Sequence, residues 1–215
     1  DNFEITEDDW PLDMTSEGEQ TRATLNNILG NYSSVGVFGY YGNDDICDIL
    51  KNSQYTFDGD EMVKDNPPRW STVKQGNKET ITIYAYAPYI RDLLSNNIEI
   101  SDINNSQIDY IAAVSNPISL SGNTYVSVEL PFEHIYTAIQ LKAGFDCTIT
   151  EISISNIATS GTYTIGSGWS SGTNTGNYTL SGQSLTVSAG TNIGEPILMI
   201  PQVLTGSVLT IETTD

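Results

Sequence analysis

The 215-residue chain has few basic residues and no long apolar run. It holds 8 Lys and Arg against 27 Asp and Glu, which gives a formal net charge of −19. This charge disfavours contact with nucleic acid phosphates or anionic lipid, so nucleic acid is not expected among the partners. A membrane-spanning helix needs about 18 consecutive apolar residues, and no such run occurs in the sequence, so no membrane span is predicted.

Cysteine and histidine are scarce as well. Cys47 and Cys147 are the only cysteines. They are expected in different domains, which predicts two buried free thiols and no disulfide. His134 is the only histidine and has no nearby cysteine. A metal site is therefore not expected at His134, which is predicted to be buried near the start of a strand.

The acidic clusters do not change this expectation. Asp44 and Asp45 with Asp48, and the stretch 58–61, lack the spacing of a helix-loop-helix calcium site. They are interpreted as solvated turns. Neither a metal nor a cofactor is predicted.

Alternation with a period of two dominates the body of the chain. The segment 35–41 alternates small and aromatic residues, and 80–87 (TITIYAYA) places Ile81 and Ile83 on one face and Tyr84 on the other. Short strands separated by Gly, Asn, Ser and Pro clusters are typical of β-sandwiches. Further strands are predicted at 109–114, 125–130, 135–143, 148–157, 178–187, 197–204 and 207–213. Two short helices are predicted at 44–51 and 90–95.

Composition changes along the chain and suggests domains. Seven of the eight basic residues precede residue 130, and only Lys142 follows it. We place a boundary near the Pro117–Asn123 stretch or the Pro131 step. The resulting units are an acidic leader at 1–22, an N-terminal domain at 23–126 and a C-terminal domain at 127–215, which agree with usual domain sizes.

The leader is the most distinctive segment. It holds eight acidic side chains, and its only basic residue is its last residue, Arg22. Ala23 then opens the strand-like body. A charged leader that ends in one Arg resembles a proteolytic processing site, although a lone Arg is also a common surface residue. Phe3 and Ile5 alternate, as do Trp10, Leu12 and Met14, so an edge strand is plausible there.

Signs of catalysis are weak. The run from Gly168 to Gly172 satisfies the G-x-S-x-G pattern of a nucleophile elbow. That motif needs a strand-to-helix turn and a later histidine, whereas His134 comes before it. The run is interpreted as a loop in which Trp169 is either packed or exposed for contact. The protein is therefore not predicted to be an enzyme.

An ordered set of motifs resembles the fimbrillin-like family, also called type V pilins or Mfa-like proteins. The set covers residues 22 to 211, and no single motif in it is decisive. Its members are Arg22-Ala23-Thr24-Leu25, Val35-Gly36-Val37-Phe38 with Tyr40-Tyr41, Pro68 with Trp70, Tyr84-Ala85-Tyr86-Ala87-Pro88-Tyr89, Phe132-x-His134, Ile152-x-Ile154-x-x-Ile157, Gly161-x-Tyr163, and Leu198-Met199-Ile200-Pro201-Gln202.

The resemblance implies an all-β protein of two tandem, transthyretin-like β-sandwiches with few short helices. It implies export as a lipoprotein and a location at the cell surface, either anchored to the outer membrane or within a fimbrium. It also implies that an Arg-specific protease cuts after Arg22, so that Ala23 becomes the new terminus. A strand from another fimbrial subunit would then fill the groove that the leader leaves.

Two functions remain open. The first is a pilin that polymerises by strand exchange and takes part in adhesion. The family's shaft subunits continue into a carboxy-terminal donor segment, so a chain ending at Asp215 is expected to act as a tip or accessory subunit, or to be incomplete. The second is a non-polymerising surface lipoprotein that binds a host protein or glycan, with Trp169 as the candidate contact.

Overall fold

The structure is a computed structural model. It describes residues 4–7, 32–42, 45–58, 61–68, 70–74, 76–105, 107–121, 128–171 and 175–214. Within these ranges strand is the main structure, and each helix is only three or four residues long. The prediction of an all-β fold with few short helices is confirmed. Among the described residues no helix is long and apolar enough to cross a membrane.

The structure describes seventeen strands, which are numbered β1 to β17 in chain order. The first nine are β1 (Glu4–Glu7), β2 (Ser34–Tyr41), β3 (Asp45–Ile46), β4 (Ser53–Asp58), β5 (Glu61–Val63), β6 (Thr80–Ala87), β7 (Asn97–Ile100), β8 (Ile111–Val114) and β9 (Ile118–Ser119). The others are β10 (Glu133–His134), β11 (Thr137–Lys142), β12 (Cys147–Ala158), β13 (Gly161–Thr164), β14 (Gly168–Ser171), β15 (Thr175–Val187), β16 (Ile197–Met199) and β17 (Val208–Thr214). The helices are two 3-10 turns, Asp48–Leu50 and Ile103–Asn105, and α1 (Trp70–Val73).

A large antiparallel sheet forms the N-terminal half. Its order is β10-β8-β6-β2-β4-β5, with β3 added to β2 and β9 added to β6. The period-two alternation decides which residues face each side. Val35, Val37, Ile81 and Ile83 belong to one buried cluster. Phe38, Tyr40 and Tyr86 belong to a second cluster on the opposite face.

The second face of this sheet is covered by strands from both halves of the chain. Ile98 in β7 and Ile165 after β13 lie in the same cluster as Phe38. Strand β13 pairs with β7 and with β14, so it joins 161–164 to 97–100. Strand β10 pairs with β8 across the predicted boundary as well. The division into domains at 126/127 stays a prediction, and residues 122–127 lie outside the described residues.

Two three-stranded sheets enclose the third core. Their orders are β1-β11-β16 and β15-β12-β17. Ile139 and Leu141 of β11 meet Ile149 and Ile152 of β12 in a buried cluster. This packing of two sheets around alternating apolar residues forms a C-terminal sandwich.

Several predicted elements differ from the structure. The 44–51 helix is reduced to the 3-10 turn Asp48–Leu50, and 90–95 contains turn and irregular backbone. Residues 128–130 of the predicted strand 125–130 are not strand. Both cysteines are free, as predicted, and Cys47 is buried whereas Cys147 is half-buried.

Candidate functional site

The edge of the C-terminal sandwich is formed by β1, a strand from the leader. Strand β1 pairs antiparallel with β11, and Glu4, Ile5, Thr6 and Glu7 stand opposite Lys142, Leu141, Gln140 and Ile139. The other side of β11 pairs with β16. The leader therefore supplies the outer strand of a sheet whose other strands come from the body of the chain.

The chemistry of β11 explains why its edge accepts a strand. Leu141 is 1% exposed and Ile139 is 6% exposed, and both pack in the core that β12 covers. Gln140 is also buried, and its amide donates to the carbonyls of Leu141 and Gly194 at 3.2 and 3.3 Å. A buried strand needs partners for its backbone N–H and C=O groups on both sides. On the outer side of β11, β1 supplies them.

The predicted processing residues, Arg22 and Ala23, lie outside the described residues. So do Phe3, Trp10, Leu12 and Met14 of the predicted leader strand. The described part of the leader is β1, which ends at Glu7. Cleavage at Arg22 stays a prediction.

Trp169 lies in β14 and is half-buried. Its indole N–H donates to the Ile135 carbonyl at 2.6 Å. Its ring packs against Tyr136 and Tyr163, with centroid distances of 5.6 and 5.4 Å. The Trp169 indole therefore packs partly against the interior of the protein, and its role in ligand contact stays a prediction.

The serine of the G-x-S-x-G pattern does not sit at a strand-to-helix turn. Ser170 lies inside β14, opposite Thr162 of β13. Its hydroxyl is 3.4 Å from the Thr162 carbonyl. Within the described ranges, no three His, Cys, Asp or Glu side chains come together as a metal site.

A polar cluster joins the first described residue after the leader to the large sheet. The Tyr32 hydroxyl lies 2.9 Å from the Asp109 carbonyl and 3.1 Å from Asp109 Oδ2. His134 Nδ1 is 2.8 Å from the same carboxylate oxygen. Burial, followed by the charge of Asp109, raises the pKa of Tyr32. The cluster holds the chain at Tyr32 in place independently of β1.

Comparison with known proteins identifies the family. The sequence model of the fimbrillin-like family matches residues 21–215. The chain belongs to the fimbrillin-like family. No curated protein matches the chain.

Two solved structures resemble this fimbrillin-like protein. A candidate cell adhesion protein from Bacteroides uniformis ATCC 8492 is 18% identical, with a TM-score of 0.54, over 85% of this chain and 73% of that one. A candidate cell adhesion protein from Bacteroides thetaiotaomicron VPI-5482 is 10% identical, with a TM-score of 0.43, over 86% of this chain and 84% of that one. At this identity the first structure supports the fold alone.

The sequence of this fimbrillin-like protein indicated an edge strand within residues 1–22, where β1 lies, but not that β11 is its partner. Segment 135–143 was predicted to be a strand, yet nothing in its alternation indicates which strand pairs with it. One signal was available. Lys142 is the single Lys or Arg after residue 130, and it stands opposite the acidic residue Glu4.

Proposed function

We propose that this fimbrillin-like protein is a structural subunit of a cell-surface fimbria that assembles by strand exchange. In this proposal a protease removes β1 with the leader, and a strand of a neighbouring subunit takes its place beside β11. Membership of the family supports the fimbrial role. Export as a lipoprotein and outer-membrane anchoring belong to the same proposal, and no enzymatic activity is proposed.

The pairing of β1 with β11 is the observation that carries the proposal. Strand β1 ends at Glu7, and Arg22 lies in the segment 8–31 that leads from β1 to the body. One cut at Arg22 therefore turns β1 from a tethered strand into part of a separate peptide. The rest of the C-terminal sandwich, including β11, β12 and β16, is not covalently altered.

The short length of β1 makes this release favourable. Four residues form about four ladder hydrogen bonds at most, worth roughly 0.5–1.5 kcal/mol each. While the strand is tethered, its effective concentration is on the order of millimolar, so it occupies the edge far more than a free peptide at micromolar concentration would. After cleavage the peptide diffuses away, because a free energy near −4 kcal/mol corresponds to a Kd of about 1 mM.

The vacated edge favours addition of another strand. Without β1, the outer N–H and C=O groups of β11 lose their partners. Leu141 and Ile139 lose Ile5 and Glu7, the residues that stand opposite them. An incoming antiparallel strand restores the ladder and covers these side chains.

Limited digestion with an Arg-specific protease tests the proposal. We expect one cut, after Arg22, which leaves a folded body that begins at Ala23, identified by mass spectrometry. Mixed with a fimbrial subunit that supplies a donor strand, the trimmed body is then expected to form polymers, visible by electron microscopy and by light scattering. The Arg22→Gln variant is the control and should stay uncut and monomeric.

Two results would overturn the proposal. The first is digestion at Arg69 or Arg91 while the leader stays attached. The second is a trimmed body that stays monomeric in the presence of a subunit that supplies a donor strand, although the β11 edge is vacated.

Binding of a host protein or glycan is a second candidate function. The half-buried Trp169 ring beside Tyr163 is the observation that favours it. A glycan array compares wild type with Trp169→Phe and Trp169→Ala. Because Trp169 also packs in the interior, loss of signal counts only if the Trp169→Ala variant remains folded by circular dichroism.

A further inference from the structure

Lys142 stands at one end of the β11 edge, in a part of the sequence without another Lys or Arg. After Arg91 the sequence has eleven acidic residues, and Lys142 is its single Lys or Arg. The Lys142 side chain is half-buried. Among the side chains that the structure describes, no ion pair of Lys142 is found. A partly buried ammonium group is costly without a nearby negative charge, so this position favours an acidic neighbour.

The register of β1 places an acidic residue at this point. Glu4 stands opposite Lys142, and Ile5 stands opposite Leu141. Residues directly opposite in an antiparallel pair lie on the same face, with Cβ atoms about 4.5–5.5 Å apart. The face of Leu141 is the core face, because Leu141 is 1% exposed in the cluster that β12 closes. The edge therefore presents a charged position followed by an apolar one.

We infer that Lys142 selects the strand that occupies this edge. The strand of a neighbouring subunit that replaces β1 carries a carboxylate opposite Lys142 and, as its next residue, an apolar side chain opposite Leu141. The inference rests on the strand exchange proposed above and names the chemistry of the partner strand. Its basis is the register of β1 together with the isolation of Lys142 among acidic residues.

The charge also fixes the register of the incoming strand. A slip by one residue exchanges the two faces of a strand. A slip in one direction would place the carboxylate opposite Leu141 on the core face, and a slip in the other direction would place the apolar residue opposite Lys142. Burial of an unpaired carboxylate is strongly unfavourable, so the charge pair and the apolar position exclude the slipped register together.

Charge reversal in the full-length chain tests the role of Lys142. The variants are Glu4→Lys, Lys142→Glu and the two combined, and the measurement is amide hydrogen exchange of residues 139–142 by NMR. Each single reversal replaces attraction by repulsion, so we expect about three- to ten-fold faster exchange of the β11 amides that bond to β1. The double variant should return to within about two-fold of wild type.

Glu7→Lys is the matched control. It changes the net charge as Glu4→Lys does, but it stands opposite Ile139. Its effect on exchange should not be corrected by Lys142→Glu. If Lys142→Glu corrects the effects of Glu4→Lys and Glu7→Lys equally, then net charge, and not the residue opposite Lys142, determines exchange of the β11 amides. That result would overturn the inference.

Other outcomes separate the inference from the proposed function. If the β11 amides are protected but the double variant does not correct the effects of Glu4→Lys and Lys142→Glu on exchange, the inference is overturned. The strand-exchange proposal would still stand. Outer β11 amides that exchange as fast as an unstructured peptide overturn both, because β1 would not hold the edge.

Assembly tests the partner strand directly. After trimming at Arg22, Lys142→Glu is expected to polymerise about three- to ten-fold more slowly than wild type. Lys142→Gln, which removes the charge without reversing it, should lie between the two. Equal rates for all three would overturn the claim that Lys142 selects the incoming strand.

Discussion

Tyr86 shows how one side chain stabilises the large sheet. It is fully buried, and it stands opposite Gly36 in the pairing of β6 with β2. Its hydroxyl is 2.7 Å from Asn52 Oδ1 and 3.0 Å from the Ile90 carbonyl, and it accepts the Ile90 N–H at 3.2 Å. Asn52 in turn donates to the Ile90 carbonyl at 2.8 Å. The ring covers a glycine while the hydroxyl fixes the chain that follows β6.

The same residue predicts a response to alkaline pH. Burial is the main reason that the pKa of Tyr86 is raised to about 12. Between about pH 10 and pH 12 the unfolded chain loses this proton while the folded chain keeps it. The free energy of unfolding should therefore fall by up to about 1.4 kcal/mol per pH unit for this group.

The Tyr86→Phe variant isolates this contribution. At neutral pH we expect it to lose about 1–3 kcal/mol of stability, because the Ile90 N–H loses its partner. Above pH 10 its stability should decline less steeply than that of wild type, as measured by urea unfolding at a series of pH values. Burial also raises the pKa of Tyr32 and Tyr136, so some slope remains. Parallel profiles for the two proteins would contradict the assignment.

Gly36, which stands opposite Tyr86, leads to a prediction about stability. A Cβ atom on Gly36 would overlap the ring and the hydroxyl of Tyr86. We expect Gly36→Ala to destabilise the protein by about 1–3 kcal/mol, because the ring is held in place. The control is the same change in a Tyr86→Ala background, where the clash is absent and the cost should largely vanish. Equal costs in both backgrounds would refute the explanation.

Among the elements, β12 is the central strand of the C-terminal sandwich. It pairs with β15 on one side and β17 on the other. Ile152 is 1% exposed in the core, whereas the adjacent Ser153 is on the other face and half-buried. We expect Ile152→Ala to cost about 2–5 kcal/mol in urea unfolding. Ser153→Ala should stay within about 0.5 kcal/mol of wild type. Similar costs for both would contradict the assigned faces.

Elements with strong alternation could be predicted from the sequence, and short pairing strands could not. Strands β2 and β6 follow the pattern of alternating faces almost residue by residue. Strands β7, β13 and β14 have four residues each, and β13 and β14 are rich in Gly, Ser and Thr, so they carry no clear alternation. They become strands because they pair with one another. A local pattern cannot show such distant pairing.

The pairing of β1 with β11 at the candidate site was also only partly predictable from the sequence. The alternation of Phe3 and Ile5 indicated an edge strand, and β1 includes Ile5. The choice of β11 as its neighbour depends on which sheet edge the folded body leaves open, and this is a property of tertiary structure. The single Lys142 in an acidic half was the one local hint of the pairing.

At the scale of the whole molecule, charge opposes assembly. The net charge is −19, and the leader up to Arg22 accounts for −7 of it, so the trimmed body carries −12. Like-charged subunits repel one another over distances set by the Debye length, about 30 Å at 0.01 M salt and about 8 Å at 0.15 M. In the proposed mechanism, removal of the leader would both open the β11 edge and lower the repulsion between subunits.

This repulsion predicts a salt dependence of polymerisation. We expect trimmed subunits to polymerise faster as NaCl is raised from about 0.01 to 0.15 M, because screening weakens repulsion while backbone pairing at β11 is little affected. Light scattering measures the rate. Untrimmed Arg22→Gln protein should stay monomeric at every salt concentration, since its edge stays filled. Polymerisation of that variant in high salt would mean that charge alone, and not occupation of the β11 edge, keeps the subunits apart.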